Sequence, residues 1–487
     1  MKLGSKNCIE YLSCYLYKFA YFFVAIFGSY LILKDANWCF GDDHEFLCTT
    51  AIGKLEPMCR HMGGGRFVPL QHYDYNLLTL FSFGKDVLAH YSLVAMSFLL
   101  LTYFWMKISL LICKQDIKSY KLKLFLSVFC FVSFLCNRAV ERIFLEVIFP
   151  ERMVLLLFSI FIYLYLSALR KESVYKYVAA FVVVVYASYV KEPVSGAFCS
   201  FALINLFFRP KSLGQRRFFV AIILNFVVYV ISYYFLVYKT SASFYNSGRC
   251  SLSYIDNITA IFKEQEILIA IFVLGIVRGI KLLFHKDSFR PDFDSLLFMS
   301  ISYTSAYFFL KLNSDYYFTP SILIGYIVIF YWISFYVDKK RFISVVMSLV
   351  CLCSIIINCK SVFNLYKWIN EDRRIFIPTI SKIIEKYGRS FEICGKTSGN
   401  FGDQVLNWHK IVLNTAINYL SKTENKNYIS IVDDVDRVLG KDIVIASDFS
   451  NMPQNEKDRL NNYLNYNNFV RIYQNYGLSI YVMDRNK

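Results

Sequence analysis

Two adjacent carboxylates, Asp42 and Asp43, stand in the run Asn37-Trp38-Cys39-Phe40-Gly41-Asp42-Asp43-His44-Glu45-Phe46, just after the first long apolar block of the chain. A carboxylate beyond a helix end, at a low-dielectric boundary, has its pKa raised toward the range that suits a general base. The same polar stretch continues through Gly63-Gly64-Gly65-Arg66-Phe67-Val68-Pro69-Leu70 and Tyr73-Asp74-Tyr75. A glycine run lets backbone approach a ligand closely, and Arg66 offers a planar fork for phosphate. These residues equally suit an ordinary solvated loop capped by acids, and their chemistry alone leaves both readings open.

Further charged segments repeat the theme: Asn137-Arg138-Ala139-Val140-Glu141-Arg142, Pro150-Glu151-Arg152, Tyr189-Val190-Lys191-Glu192-Pro193 and Asn313-Ser314-Asp315-Tyr316-Tyr317. Cations at membrane depth are costly and mark an anionic ligand or an ion pair. Local pairing would join Lys191 to Glu192, Arg152 to Glu151, and Arg138 or Arg142 to Glu141. Tyr316 and Tyr317 also suit an interfacial aromatic belt. Arg66 has no acid within several residues, and Lys191 sits beside the rigid Pro193. These two rank highest as holders of an anionic group.

The elements that must carry these residues are membrane spans. Of 487 residues, 56% are hydrophobic and 18% aromatic against only 18% charged, with a mean hydropathy of +0.41. Apolar blocks of about 20 residues match the ~30 Å hydrocarbon thickness, and without water at that depth each must be helical. Eleven spans are expected, near 14–34, 87–112, 124–137, 152–169, 175–190, 194–208, 218–238, 266–284, 295–311, 320–337 and 342–359. The first has a basic flank, Lys2 and Lys6, and no small-residue cleavage site after it, so it reads as a retained helix.

With eleven spans, the N-terminus and the basic loops carrying Lys114–Lys123, Arg170–Lys176, Arg209–Arg217, Arg278–Arg290 and Lys339–Arg341 share one side, the cytoplasmic one. Asp42, Asp43, Asp74, Glu141, Glu151, Glu192 and Asp315 fall on the other side. The net charge of +17 is then a topology signal and an attraction to anionic membrane lipid, not a nucleic-acid footprint.

The expected fold is a polytopic α-helical membrane domain over 1–359, with a first outer loop over 35–86, followed by a small α/β soluble domain over 360–487. In that tail, 362–387 reads as an amphipathic helix stopped by Gly388. Segment 403–421 reads as a second helix, and Phe391–Cys394 and Ile443–Ala446 as short apolar runs. Val470, Ile472, Leu478, Ile480 and Val482 alternate about Asn475–Gly477 as a hairpin.

No Gly-x-Gly-x-x-Gly or Walker pattern occurs, which excludes the usual nucleotide loops. Fourteen cysteines are scattered without paired Cys-x-x-Cys spacing, so nothing indicates a metal or other cofactor, although a divalent ion is compatible. Cys39, Cys48 and Cys59 share the outer loop, where a disulfide can form.

The layout resembles the GT-C superfamily of membrane glycosyltransferases. It has a first helix, an outer loop opening on an acidic pair, many spans and an outer C-terminal domain. The Asp42-Asp43 pair with Gly64-Gly65-Arg66-Phe67-x-Pro69-Leu70 is similar to bacterial O-antigen or surface-polysaccharide glucosyltransferases, including the phage-type serotype-converting ones. The second motif differs in detail, and the Cys-rich loop is unusual.

The resemblance implies a sugar donor on undecaprenyl phosphate, an acceptor that is a polysaccharide or lipid-linked glycan, and Asp42 or Asp43 as base in an inverting transfer. It also implies cations on the leaving phosphate, a bacterial inner-membrane location and a periplasmic C-terminal domain. Two other classes remain beside it. One is a polysaccharide polymerase or ligase, in which the largest outer loop more often comes late. The other is a transporter, which would show broken helices in two matching halves.

Overall fold

The computed structural model describes residues 3–58, 65–81, 83–113, 120–208, 212–239, 253–336, 341–395, 401–423, 426–432, 435–447 and 454–484. Long apolar runs close their backbone hydrogen bonds within themselves as helices, and shorter helices join them. In chain order they are α1 (Leu3–Leu33), α2 (His44–Leu47), α3 (Asn76–Leu80), α4 (Val87–Cys113), α5 (Tyr120–Leu135), α6 (Arg138–Leu145), α7 (Glu151–Arg170), α8 (Val174–Ser188) and α9 (Glu192–Phe208). There follow α10 (Leu213–Tyr233), α11 (Tyr254–Glu264), α12 (Glu266–Phe284), α13 (Asp294–Leu310), α14 (Thr319–Tyr336), α15 (Arg341–Tyr387), α16 (Phe401–Leu420) and α17 (Gln454–Tyr466).

All eleven expected spans coincide with helices. Among the described residues, six helical stretches are long and apolar enough to cross a membrane: Tyr15–Leu33, Val87–Cys113, Glu151–Arg170, Leu213–Tyr238, Glu266–Phe284 and Asp315–Phe335. The end of α5 and α6 meet at a 70° bend and together would make a seventh. α8 and α9, at 15 and 17 residues, are apolar but shorter.

The chain forms two compact units. One comprises 1–33, 57–74 and 92–366, and the other 34–56, 75–91 and 367–487. The division therefore falls within α15, not at 359. The 35–86 segment is also shared: its flanks belong to the second unit and its middle to the first.

In the first unit α9 packs on α10 and α13, α7 on α8, and α14 on α5 and α7. α12 lies against both α13 and α14. Two glycines permit this closeness. A Cβ at Gly275 would collide with Ile301, and one at Gly325 with Ile271. Where lipid is as apolar as the helix, such close backbone approach is what holds helices together.

The second unit centres on a five-stranded sheet in the order β2-β1-β3-β5-β4, with β1 Phe391–Cys394, β2 Ile429–Val432, β3 Ile443–Ser447, β4 Phe469–Asn475 and β5 Leu478–Met483. β1 is parallel to β2 and β3, and β5 is antiparallel to β3 and β4. β4 and β5 are joined by Tyr476 and Gly477, both at positive φ (45° and 72°). Such a pair gives a tight hairpin the strands' right-handed twist. α17 buries Leu460 and Leu464 against Cys394, Val444 and Ala446.

Candidate functional site

The charged segments of the first unit form one contact network. Arg66 Nε and Nη2 donate to Glu192 Oε1 and Oε2 at 2.9 and 3.2 Å, a two-pronged fork on a carboxylate 126 residues away. Lys191 Nζ approaches Glu151 Oε1 at 2.6 Å, with both side chains almost fully buried. Arg152 donates to Asp74 Oδ2 at 2.5 Å and to Ser97 Oγ at 2.7 Å. Lys191 also lies 4.7 Å from the centre of the Tyr317 ring, which packs on Tyr316 at 4.4 Å. Arg142 reaches Glu146 at 3.1 Å and Asp315 at 3.9 Å, and stacks near Tyr316 and Phe149.

The expected neighbour pairings are therefore replaced by others: Lys191 with Glu151, Arg66 with Glu192 and Arg152 with Asp74 across long stretches of sequence, and Arg142 with Glu146 one helical turn on. Neighbours i and i+1 on a helix point to different sides, whereas i and i+4 meet. Arg66, without an acid near it in sequence, finds one in space. Asn137 caps α6 by accepting from Ala139 N, which sends Arg142 toward Asp315. Arg138, at the start of that helix, is exposed and makes no ion pair among the described residues. Glu141 faces a separate apolar recess of about 340 Å³ bounded by Phe23, Phe98, Leu135 and Tyr366.

The acidic pair lies in the second unit. Gly41, at φ 128°, turns the chain into α2. Asp43 is buried, and its Oδ2 accepts from Cys39 N at 3.0 Å. Its charge is felt by Arg373, whose guanidinium lies 4.3 Å from the Tyr91 ring centre. Asp42 is exposed. Asp43 therefore braces the turn. Cys39 is buried and Cys48 exposed; Cys59, with Gly63 and Gly64, lies outside the described residues. Among the described residues no group of three His, Cys, Asp or Glu side chains could hold a metal ion.

Sequence reasoning missed Asp372. Its Oδ1 accepts from the Tyr473 hydroxyl at 2.6 Å and from Asn475 Nδ2 at 2.5 Å, and its Oδ2 accepts from Phe40 N at 2.7 Å. Burial pushes its carboxyl up to about 6, against the pull of those three donors. The available signal was its place inside Asn370-Glu371-Asp372-Arg373-Arg374, a polar knot within a helix whose buried face also carries Ile369, Phe376 and Ile380.

No protein-family model matches the sequence, nor does any curated protein sequence. Among solved structures, the chain is similar in fold to ArnT from Cupriavidus metallidurans in the apo state. The TM-score is 0.50 at 10% identity, over 95% of this chain and 96% of that one. It also aligns with the oligosaccharyltransferase of Archaeoglobus fulgidus in complex with Zn and sulfate, at a TM-score of 0.44 and 11% identity, over 94% of this chain and 73% of that one. The chain thus shares the fold of ArnT, and among the described residues it has six helical stretches long and apolar enough to cross a membrane.

Proposed function

We propose that this protein transfers a sugar, a hexose of the glucosyl type, from undecaprenyl phosphate to a surface polysaccharide such as O-antigen. The reaction takes place on the outer face of the bacterial inner membrane. The observation that carries the reading is the network joining Arg66, Asp74, Glu151, Arg152, Lys191, Glu192 and Tyr317 from segments far apart in sequence. So many buried charges at helix ends are expensive unless a function retains them. The ArnT-like fold supports the same reading.

Asp42 accepts the proton of the acceptor hydroxyl, and the oxygen attacks the anomeric carbon with inversion. The bond from that carbon to the phosphate oxygen breaks, and the phosphate leaves with the electron pair. Arg138, which is exposed, and Arg66 hold that phosphate as charge develops on it. Lys191 and Arg152 keep the surrounding helix ends in register through Glu151 and Asp74. The membrane part spans eleven times, so the N-terminus is cytoplasmic and residues 360–487 lie in the periplasm. The chemistry as drawn requires no metal.

The test compares surface glycans of cells with and without the protein, and with Asp42→Asn in protein that inserts normally. Loss of one sugar per repeat in both the deletion and the variant is expected. Unchanged glycan in the deletion removes the transferase reading, and full activity of Asp42→Asn removes Asp42 as base.

A further inference from the structure

The second unit carries a cleft of about 300 Å³ on the face where the polar knot of α15 meets the edge strand β4. Its walls are the Trp368 indole, the Glu371 carboxylate, the Arg471 guanidinium, Ile472 and the Gln474 amide, and Asp372 lies at its floor. We propose that this cleft is a glycan-binding subsite that holds the acceptor polysaccharide. The choice of ligand rests on the glycosyl-transfer reading; the cleft itself does not.

The side chains match the chemistry of a sugar. A pyranose offers an apolar C–H face and a rim of hydroxyls, each both donor and acceptor. Trp368 is 37% exposed, large for an indole, and Tyr476 holds it edge-on at 5.1 Å. A rigid exposed ring provides a flat apolar platform whose ordering cost is already met. Around it, Glu371 accepts two hydrogen bonds from neighbouring hydroxyls, Arg471 donates two, and Gln474 does one of each. The volume falls at the low end of small-ligand pockets, about 300–1,000 Å³.

Backbone geometry points the same way. β4 is an edge strand with a register shift between Arg471 and Tyr473. A bulge at a sheet edge re-aims side chains and interrupts the ladder that an added peptide strand would need. Here Arg471 and Ile472 are both exposed, while Tyr473 turns inward to donate to Asp372. Asp372 is a positioning residue: by accepting from Tyr473 and Asn475 it fixes both strand residues at the cleft floor. A phosphorylated ligand fits poorly, because Glu371 and Asp372 face a lone Arg471 among the cleft's charged walls.

The test is calorimetric titration of the purified full chain with hexasaccharides of glucose, galactose and mannose, and with inorganic phosphate. At least one hexasaccharide should bind and phosphate should not. Trp368→Ala should weaken binding by about tenfold or more, whereas Trp368→Phe, which keeps a platform, should stay within about threefold. Glu371→Gln should weaken binding while leaving the melting temperature unchanged. Binding by none of the sugars, or equal affinity in Trp368→Ala, overturns the proposal. In a transfer assay, Trp368→Ala should raise the acceptor KM with little change in kcat, the reverse of Asp42→Asn. Glycan binding that persists in a protein without transfer activity would refute the transferase reading and leave the subsite standing.

Discussion

The two units keep buried charge in different ways. In the helical unit three carboxylates of the packed interior meet cations: Glu151 meets Lys191, Glu192 meets Arg66, and Asp294 meets Arg278 through two contacts of 2.7 and 2.6 Å. In the sheet unit Asp372 meets three neutral donors, and its carboxyl is pushed up to about 6 by burial. Ion pairs keep their charge over a wide pH range, whereas a lone buried carboxyl can discharge itself by taking a proton. The first arrangement keeps fixed charges inside the helical unit. The second fixes the strand residues Tyr473 and Asn475 at the floor of the cleft.

Breaking a pair in the helical unit should produce the largest effect. Lys191→Met leaves the Glu151 charge buried and unmatched, a loss of about 3–5 kcal/mol. The double variant Lys191→Met/Glu151→Leu should recover most of that. Thermal melting of the purified chain in detergent measures both; equal melting of single variant and parent would mean that the pair is not charged.

The sheet unit should respond to pH through two groups of opposite sign. Asp372 holds its proton to about pH 6 when folded and to the ordinary carboxylate range when unfolded, so its contribution to stability falls as pH rises from about 4 to 6. Buried His409 has its pKa pushed down to about 4 by desolvation, so its contribution rises between about 4 and 6.5. Each amounts to about 3 kcal/mol, and the parent profile should be nearly flat. Asp372→Asn should leave a rising profile and His409→Gln a falling one, read from proteolysis in urea at the β4–β5 hairpin. Two flat variants would remove both shifts.

The smallest effect belongs to an exposed pair of the sheet unit. Arg459 donates to Asp436 with both side chains more than half exposed. Arg459→Ala should change stability by no more than about 0.5 kcal/mol. A loss comparable to that of Lys191→Met would erase the contrast between buried and exposed pairing.

Much of the helical unit was legible because lipid leaves an apolar run one choice of structure. The β4–β5 hairpin was legible from alternation about Asn475–Gly477. Among the elements that escaped, two did so for different reasons. α17 is almost wholly polar and buries only Leu460 and Leu464, too few to show a period. β2 is four residues long and lacks clear alternation. At the site, residue types were legible and partners were not. Nothing local tells Arg66 of Glu192, or that Asp42 faces out while Asp43 turns in to meet Cys39 N.

The pairing network also sets a schedule. Arg66 and Glu192 are 126 residues apart, and Asp74 and Arg152 are 78 apart. At about 5–20 residues synthesised per second, Arg66 leaves the ribosome roughly 6–25 s before its carboxylate does. Throughout that interval the guanidinium has to stay in water at the membrane surface, since hydrocarbon would exact its full desolvation cost. The segment around it can therefore settle into place only after α7 and the start of α9 have been made, so early insertion and late docking are separate events for this part of the chain.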